Sequence, residues 1–187
     1  MSVEYLDHYV SPLGGLTLSS DGEALTGLRF DGPGCAAEAV PQSRTLPVFR
    51  EAERWLDLYF SGKAPDFTPP LRPHGTAFRR AVWEILLTIP YGRTVSYGEI
   101  ARRMAGGGNP SALAARAVGG AAGSNPIVLI IPCHRVIGAD GRLTGYAGGM
   151  DRKIRLLRLE GADIREAAYG PRLTGQRNVS GRGKELT

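Results

Sequence analysis

Ile127-Val128-Leu129-Ile130-Ile131-Pro132-Cys133-His134-Arg135-Val136-Ile137 is the stretch on which the reading of the whole chain turns. Five consecutive aliphatic residues between Pro126 and Pro132 predict a short buried strand rather than a helix, because the run is brief and proline-flanked. A thiol and an imidazole then stand where that strand ends. Free cysteine titrates near ~8.5 and attacks as thiolate, so at neutral pH it needs a neighbouring cation or base. His134 and Arg135 are within sequence reach. Neighbours in extended chain point to opposite sides, however, so joining Cys133 to His134 requires a bend or a bridging water. For a bare Cys-His pair the favoured alternative is a buried, inert cysteine beside a solvated basic pair.

Composition narrows the class of protein around this stretch. The 187 residues suit one medium domain or two small ones, with material for a sizeable core. Near the start stand Glu4 and Asp7 with no long apolar segment, and no run approaches the ~18 apolar residues of a membrane span, so a cytoplasmic protein is expected. Cys35 lies in a Gly/Ala-rich loop and Cys133 at a strand end, which favours reduced thiols over a disulfide. With His8, His74 and His134 scattered and no Cys-x-x-Cys, no metal site is expected, and no cofactor motif is present. The net charge of +5 is unevenly spread. Residues 1–71 hold five basic and ten acidic side chains, while the remainder holds eighteen basic and eight acidic ones. That asymmetry points to an acidic scaffold joined to a polyanion-binding half.

In chain order, Tyr5–Val10, Gly15–Ser20 and Leu25–Phe30 are short runs separated by turn signals, predicting a three-stranded meander. After a Gly, Pro and Ala-rich loop, Val48, Ala52, Trp55, Leu56 and Tyr59 form one apolar helical face, opened by Pro47 and closed by Gly62. This unit, residues 1–60, reads as a support domain, its aromatic residues being core. Residues 61–75, with Pro65, Pro69, Pro70 and Pro73, read as a semi-rigid linker. Beyond it, Thr76 can cap a helix with Phe78, Val82, Ile85, Leu86 and Ile89 inward, stopped by Pro90-Tyr91-Gly92.

Ser96-Tyr97-Gly98-Glu99 has capping-box spacing and opens a short helix to about Met104. Residues 106–110 form a glycine-rich turn, and Ser111 starts a second helix to about Ala122. Helix, turn, helix is the layout of a DNA-binding motif. The second helix is nearly all Ala and Gly, with Arg116 its one charged residue, so it could approach a groove wall closely. Small residues equally allow tight helix packing in a core, and composition does not decide between the two. Gly138-Ala139-Asp140-Gly141 reads as a hairpin turn, Leu143 to Gly149 as a pocket-lining return, and Asp151 to Glu160 as a helix. Residues 162–187 read as a mobile basic tail.

Together these pieces resemble one family, the O6-alkylguanine-DNA alkyltransferases. The resemblance rests on Pro90-Tyr91-Gly92, Ser96-Tyr97-Gly98, Ala115-Arg116-Ala117-Val118-Gly119, Asn125-Pro126, Ile131 to Ile137 with its Pro-Cys-His-Arg-Val core, Leu143-Thr144-Gly145-Tyr146, Gly148-Gly149 and Leu159-Glu160-Gly161. It covers about residues 78–161. What it implies for the fold is α+β: an N-terminal ribonuclease-H-like small sheet plus helix, then residues 76–161 as a mostly helical, winged-helix-like DNA-binding domain with a helix-turn-helix.

The resemblance also implies a chemistry: irreversible transfer of an alkyl group from O6-alkylguanine, and from O4-alkylthymine, in double-stranded DNA to the protein's own cysteine. Cys133 would be the nucleophile, His134 its base through a water, Glu160 the carboxylate orienting His134, Asn125 a buttress of the turn, and Tyr97 a proton donor to the guanine ring. The small-residue helix (Ala115, Ala117, Gly119) would enter the minor groove with Arg116 filling the space of the extruded base, and Tyr97 and Arg135 would also contact DNA. Val136, Thr144, Gly145, Tyr146 and Ala147 would form the base pocket. A thioether offers water no acyl carbon and no good leaving group, so each molecule would act once; a monomer is expected. A non-repairing lesion sensor and a Cys-His hydrolase or acyltransferase are the competing functions; Cys133 itself argues against the first, and Arg116 and the charge asymmetry against the second. One departure stands out: Ser111 to Ala115 makes the turn before Arg116 about two residues longer than the family's usual spacing.

Overall fold

The computed structural model describes residues 4–32, 46–108 and 111–164. Cys35, the turn residues Asn109 and Pro110, and the tail beyond Ile164 lie outside the described residues. Three antiparallel strands, β1 (Tyr5–Ser11), β2 (Gly14–Ser20) and β3 (Leu25–Phe30), form the expected meander in the order β1-β2-β3. Alternation places Leu16 and Leu18 of β2 inward. Helix α1 (Pro47–Phe60) lays Val48, Phe49, Ala52, Trp55, Leu56 and Tyr59 on that face.

The segment expected to be a linker is partly a strand partner. Leu71 bridges Leu25 in parallel, with Leu25 N–H donating to Pro70 O at 2.8 Å and Arg72 N–H to Leu25 O at 2.8 Å. Prolines 69, 70 and 73 leave Leu71 and Arg72 free to pair at the sheet edge, where one missing N–H costs nothing. One apolar core runs from Leu16 and Phe49 through Trp83 and Ile100 to Ile127 and Leu156, so the two halves share their interior.

Helix α2 (Ala77–Leu87) is capped by the Thr76 side chain, which accepts from Arg79 N–H. Val82, Trp83 and Leu86 are buried, whereas Phe78, expected inward, is 43% exposed because the helix's first turn projects beyond the core. A two-residue strand β4 (Val95–Ser96) leads into α3 (Tyr97–Met104), then α4 (Ala112–Gly123). Only half of the expected capping box forms. Ser96 Oγ accepts from Glu99 N–H at 3.1 Å, but the Glu99 carboxylate turns to Arg102 and Arg103 one turn on, where a full charge outcompetes a backbone amide. Ser111 caps α4, and Trp83 Nε1–H donates to Ala121 O at 2.8 Å, fixing α4 against α2.

Residues 127–131 are not the predicted strand. They form a buried turn in which only Ile127 bridges a strand residue, Leu28, and Leu129 takes φ 70°. The reason lies just upstream: Asn125 supplies the bonds a ladder would have given, Oδ1 accepting from Ile127 N–H at 2.9 Å and Nδ2 donating to Ile131 O at 2.8 Å. A proline-bounded apolar run reads the same whether it is a buried strand or a buried turn. Downstream, the Gly138–Gly141 turn closes through Gly138 N–H to Arg142 O at 2.8 Å. It is not a β-hairpin, since β5 (Val136–Ile137) pairs in parallel with β4 and residues 142–149 return without a ladder. Helix α5 (Met150–Leu159) closes the domain. No helix among the described residues is long and apolar enough to cross a membrane.

Candidate active site

Cys133, His134 and Arg135 form a single 3-10 turn, all three buried. This turn supplies the bend that an extended chain would lack. Cys133 is 5% exposed, and its Sγ accepts a hydrogen bond from Asn125 Nδ2 at 3.1 Å. Asn125 thus ties the thiol and the turn before it to one buried amide. Burial pushes the Cys133 thiol up, and the Asn125 donor and nearby Lys153 offset part of that, so the resting group is a thiol needing a base.

His134 is fully buried and lies against Glu160, the C-cap residue of α5, with Nε2 at 2.7 Å from Oε1. Burial holds the His134 pKa below its ordinary value despite the opposing pull of Glu160. Its resting form is therefore the neutral imidazole, with Nε2–H donating to the carboxylate. That leaves Nδ1 as the acceptor, and Nδ1 is buried without a protein partner. A carboxylate behind, a neutral ring, and a free lone pair ahead is the arrangement of a general base.

Glu160 is the most heavily bonded group in the site. Its carboxylate accepts from Tyr59 OH at 2.7 Å, from His134 Nε2, from Arg135 Nη2 at 3.0 Å and Nε at 2.9 Å, and from Gly92 N–H at 3.1 Å. Burial alone would raise this carboxyl, but the hydrogen bond from His134 and the bonds and charge of Arg135 outweigh it and hold the pKa down to about 2. Gly92 reaches the carboxylate in a left-handed conformation, φ 72°, with Glu160 O only 2.7 Å from where a Cβ would stand.

Above the thiol opens a cavity of about 700 Å³. Cys133 lines its base, α4 contributes Ala115, Arg116, Gly119, Ala122 and Gly123, α3 contributes Tyr97 and Gly98, and the loop after β5 contributes Ala139 and Thr144 to Ala147. Thr144 Oγ1 donates to Tyr97 OH at 3.2 Å, pinning the loop to the start of α3. Arg116 and Ala117 are exposed on the outer face of α4.

Two predicted residues are elsewhere. Arg135, expected at DNA, is turned inward. It is 8% exposed, with Nη1 on Ile89 O at 2.6 Å, its other nitrogens on Glu160 and its guanidinium 5.7 Å over the Tyr91 ring, because the buried carboxylate, a carbonyl and an aromatic face compensate its charge there. Val136 is fully buried under β4 and does not line the cavity, and its carbonyl is taken by Lys153 Nζ at 2.6 Å.

Two residues escaped the sequence. Tyr59 reads from the sequence as core of a support domain, yet its hydroxyl enters the Glu160 cluster and stands 3.3 Å from His134 Nε2. Lys153, on α5, is fully buried with Nζ donating to Val136 O and Thr144 O, and burial lowers its pKa to about 8. Its place three residues after Met150 on the apolar side of α5 was the only available signal.

A family model for the 6-O-methylguanine DNA methyltransferase ribonuclease-like domain matches residues 5–73, and one for the DNA-binding domain of the same proteins matches residues 77–162. The chain belongs to the 6-O-methylguanine DNA methyltransferase family. Relatives in that family include a methylated-DNA–protein-cysteine methyltransferase of Methanosarcina acetivorans, 48% identical over 160 residues that span 84% of this chain and 99% of the relative. That of Haemophilus influenzae is 44% identical over 162 residues, 86% of this chain and 88% of the relative. Among solved structures of methyltransferases in the family, Mycobacterium tuberculosis OGT in complex with DNA is similar with a TM-score of 0.72 and 47% identity, over 84% of this chain and 92% of that one.

Proposed function

We propose that this protein repairs DNA by direct reversal, moving the alkyl group of O6-alkylguanine in a duplex onto Cys133 Sγ. The observation that carries the reading is a thiol at the base of a 700 Å³ cavity, backed by Asn125 and the His134–Glu160 pair and walled by the small-residue helix α4 with Arg116 at its rim. A cavity of that size accepts a purine, and a purine stacked in a duplex reaches it only by extrusion.

In this reading α4 lies in the minor groove, where Ala115, Ala117 and Gly119 allow close approach and Arg116 fills the gap left by the flipped nucleotide. Thr144, Gly145, Tyr146 and Ala147 wall the base. The Cys133 proton passes through a bridging water to His134 Nδ1, and Glu160 stabilises the imidazolium through Nε2. Sulfur attacks the alkyl carbon as the bond to O6 breaks, the electron pair withdraws into the purine, and the Tyr97 hydroxyl protonates the ring. The product thioether has no leaving group to release, so each molecule acts once. O4-alkylthymine is the second expected substrate, and a monomer suffices because one chain supplies every group named.

The test is to incubate the protein with a duplex carrying O6-methylguanine and map its peptides by mass spectrometry. A stoichiometric methyl adduct on Cys133, missing in Cys133→Ala, is expected. Tight binding with the lesion left intact would overturn repair in favour of damage sensing, and repeated turnover would overturn single use.

A further inference from the structure

We infer that Tyr59, carried by helix α1 of the N-terminal unit, is a positioning residue of the transfer relay: its hydroxyl orients Glu160 and sets how much of the carboxylate's charge reaches His134. The inference rests on the proposed alkyl transfer and adds a residue outside the DNA-binding half, so the N-terminal unit tunes the chemistry rather than only supporting it.

The geometry leaves Tyr59 little freedom. Its ring is fully buried, stacked on Trp55 at 5.1 Å between centroids and met edge-on by Tyr91 at 5.9 Å. The hydroxyl donates to Glu160 Oε1 at 2.7 Å, the same oxygen that receives His134 Nε2–H at 2.7 Å. With Arg135 Nη2 at 3.0 Å, three donors share this oxygen and divide its electron density, so each weakens the others' bonds and the two at 2.7 Å compete most directly. Burial next to the Glu160 carboxylate raises the Tyr59 phenol well above its ordinary range, and it remains a donor throughout. The contact of Tyr59 OH with His134 Nε2 itself is longer, 3.3 Å, so the bond to the carboxylate decides the sign of the effect.

Removing the hydroxyl therefore concentrates Glu160 charge on His134 and stabilises its cationic form. The other groups facing the pair stay in place: Cys133 and Arg135 from the same turn, Lys153 from α5, Tyr91 after α2, and Tyr146 from the cavity loop, which meets the His134 ring edge-on. Arg135 and Lys153 both disfavour the imidazolium, and their hydrogen bonds go to Glu160, Ile89, Val136 and Thr144 rather than to the Tyr59 hydroxyl. Glu160 keeps donors on both oxygens, so Tyr59→Phe removes one atom without leaving a buried charge unpaired.

Two readouts on the full-length protein test this. The first is the pH dependence of methyl transfer from an O6-methylguanine duplex; the second is titration of the His134 ring by nuclear magnetic resonance, which needs no activity. Tyr59→Phe should move both the acid limb and the His134 midpoint upward by about half a pH unit, roughly a threefold change in proton affinity. In a Glu160→Gln background the same substitution should leave the His134 midpoint unmoved. A uniform loss of rate at every pH, with His134 titrating as in the wild type, would reduce Tyr59 to packing and overturn the inference. A wild type that transfers no methyl while His134 shifts as expected would instead overturn the proposed function and leave the Tyr59 coupling standing.

Discussion

Replacing Glu160 by Gln probes the site through stability rather than through rate. The carboxylate ionises with a pKa of about 2 in the folded chain against an ordinary value of 4.5, and its side chain is 0% exposed, so solvent screening takes little from the effect. Because the folded value lies below the unfolded one, the stabilisation is complete above pH 4.5 and is lost as the pH falls towards 2. A shift of that size amounts to about 3 kcal/mol, on the order of a quarter to a half of a typical domain's stability. Glutamine cannot ionise, so like protonated Glu160 it leaves the Arg135 guanidinium buried without a counter-charge, and this cost opens the gap only where wild-type Glu160 is charged. Urea unfolding followed by the fluorescence of buried Trp55 and Trp83 measures the gap. The gap between wild type and Glu160→Gln should be widest at pH 7 and should narrow by about 3 kcal/mol as the pH approaches 2, since the other carboxylates cancel in the difference. A gap of constant size across that range would show that Glu160 gains nothing from its partners on folding, and the charge-based account of the site would fall.

Three further outcomes follow from single contacts. Asn125→Ala strips the bonds to Ile127 N–H, Ile131 O and Cys133 Sγ, so it should cost about 3 kcal/mol in thermal unfolding and push the Cys133 thiol pKa further up, read as slower labelling by a small alkylating reagent at pH 8; unchanged labelling would sever the link between the turn and the thiol. Gly92→Ala should lower stability by about 2 kcal/mol or more, from its left-handed backbone and from a Cβ driven into Glu160 O, and an unaltered melting temperature would contradict that packing. Arg116→Ala should slow repair of a duplex about tenfold or more while sparing reaction with free O6-benzylguanine, and equal losses on both substrates would count against a role in base extrusion.

Much of this architecture is written locally. Alternation over a few residues and turns at hairpin spacing specify β1 to β3, and a 3.6-residue apolar period bounded by Pro47 and Gly62 specifies α1. Thr76, Ser96 and Ser111 each cap a helix where their spacing predicts. Cys133 and His134 were legible as a candidate pair because adjacent chemistry needs no fold to be noticed. The same local view misread residues 127–131, because five buried aliphatic side chains look alike whether the backbone bonds to a strand or to Asn125. The placing of Arg135 at DNA, drawn from the resemblance, likewise misses that a buried carboxylate 25 residues away takes its charge.

The sequence by itself determined β1 to β3 and the five helices and named the thiol after Ile127–Ile131, since propensity, capping and periodicity act over one or two turns. Only the tertiary structure decided which groups control that thiol. Tyr59 and Glu160 are 101 residues apart, and nothing in the sequence near either one announces the other. A buried ion takes its partners from whatever the fold brings within about 3 Å, and that choice is made by packing across the whole core rather than by the chain beside it.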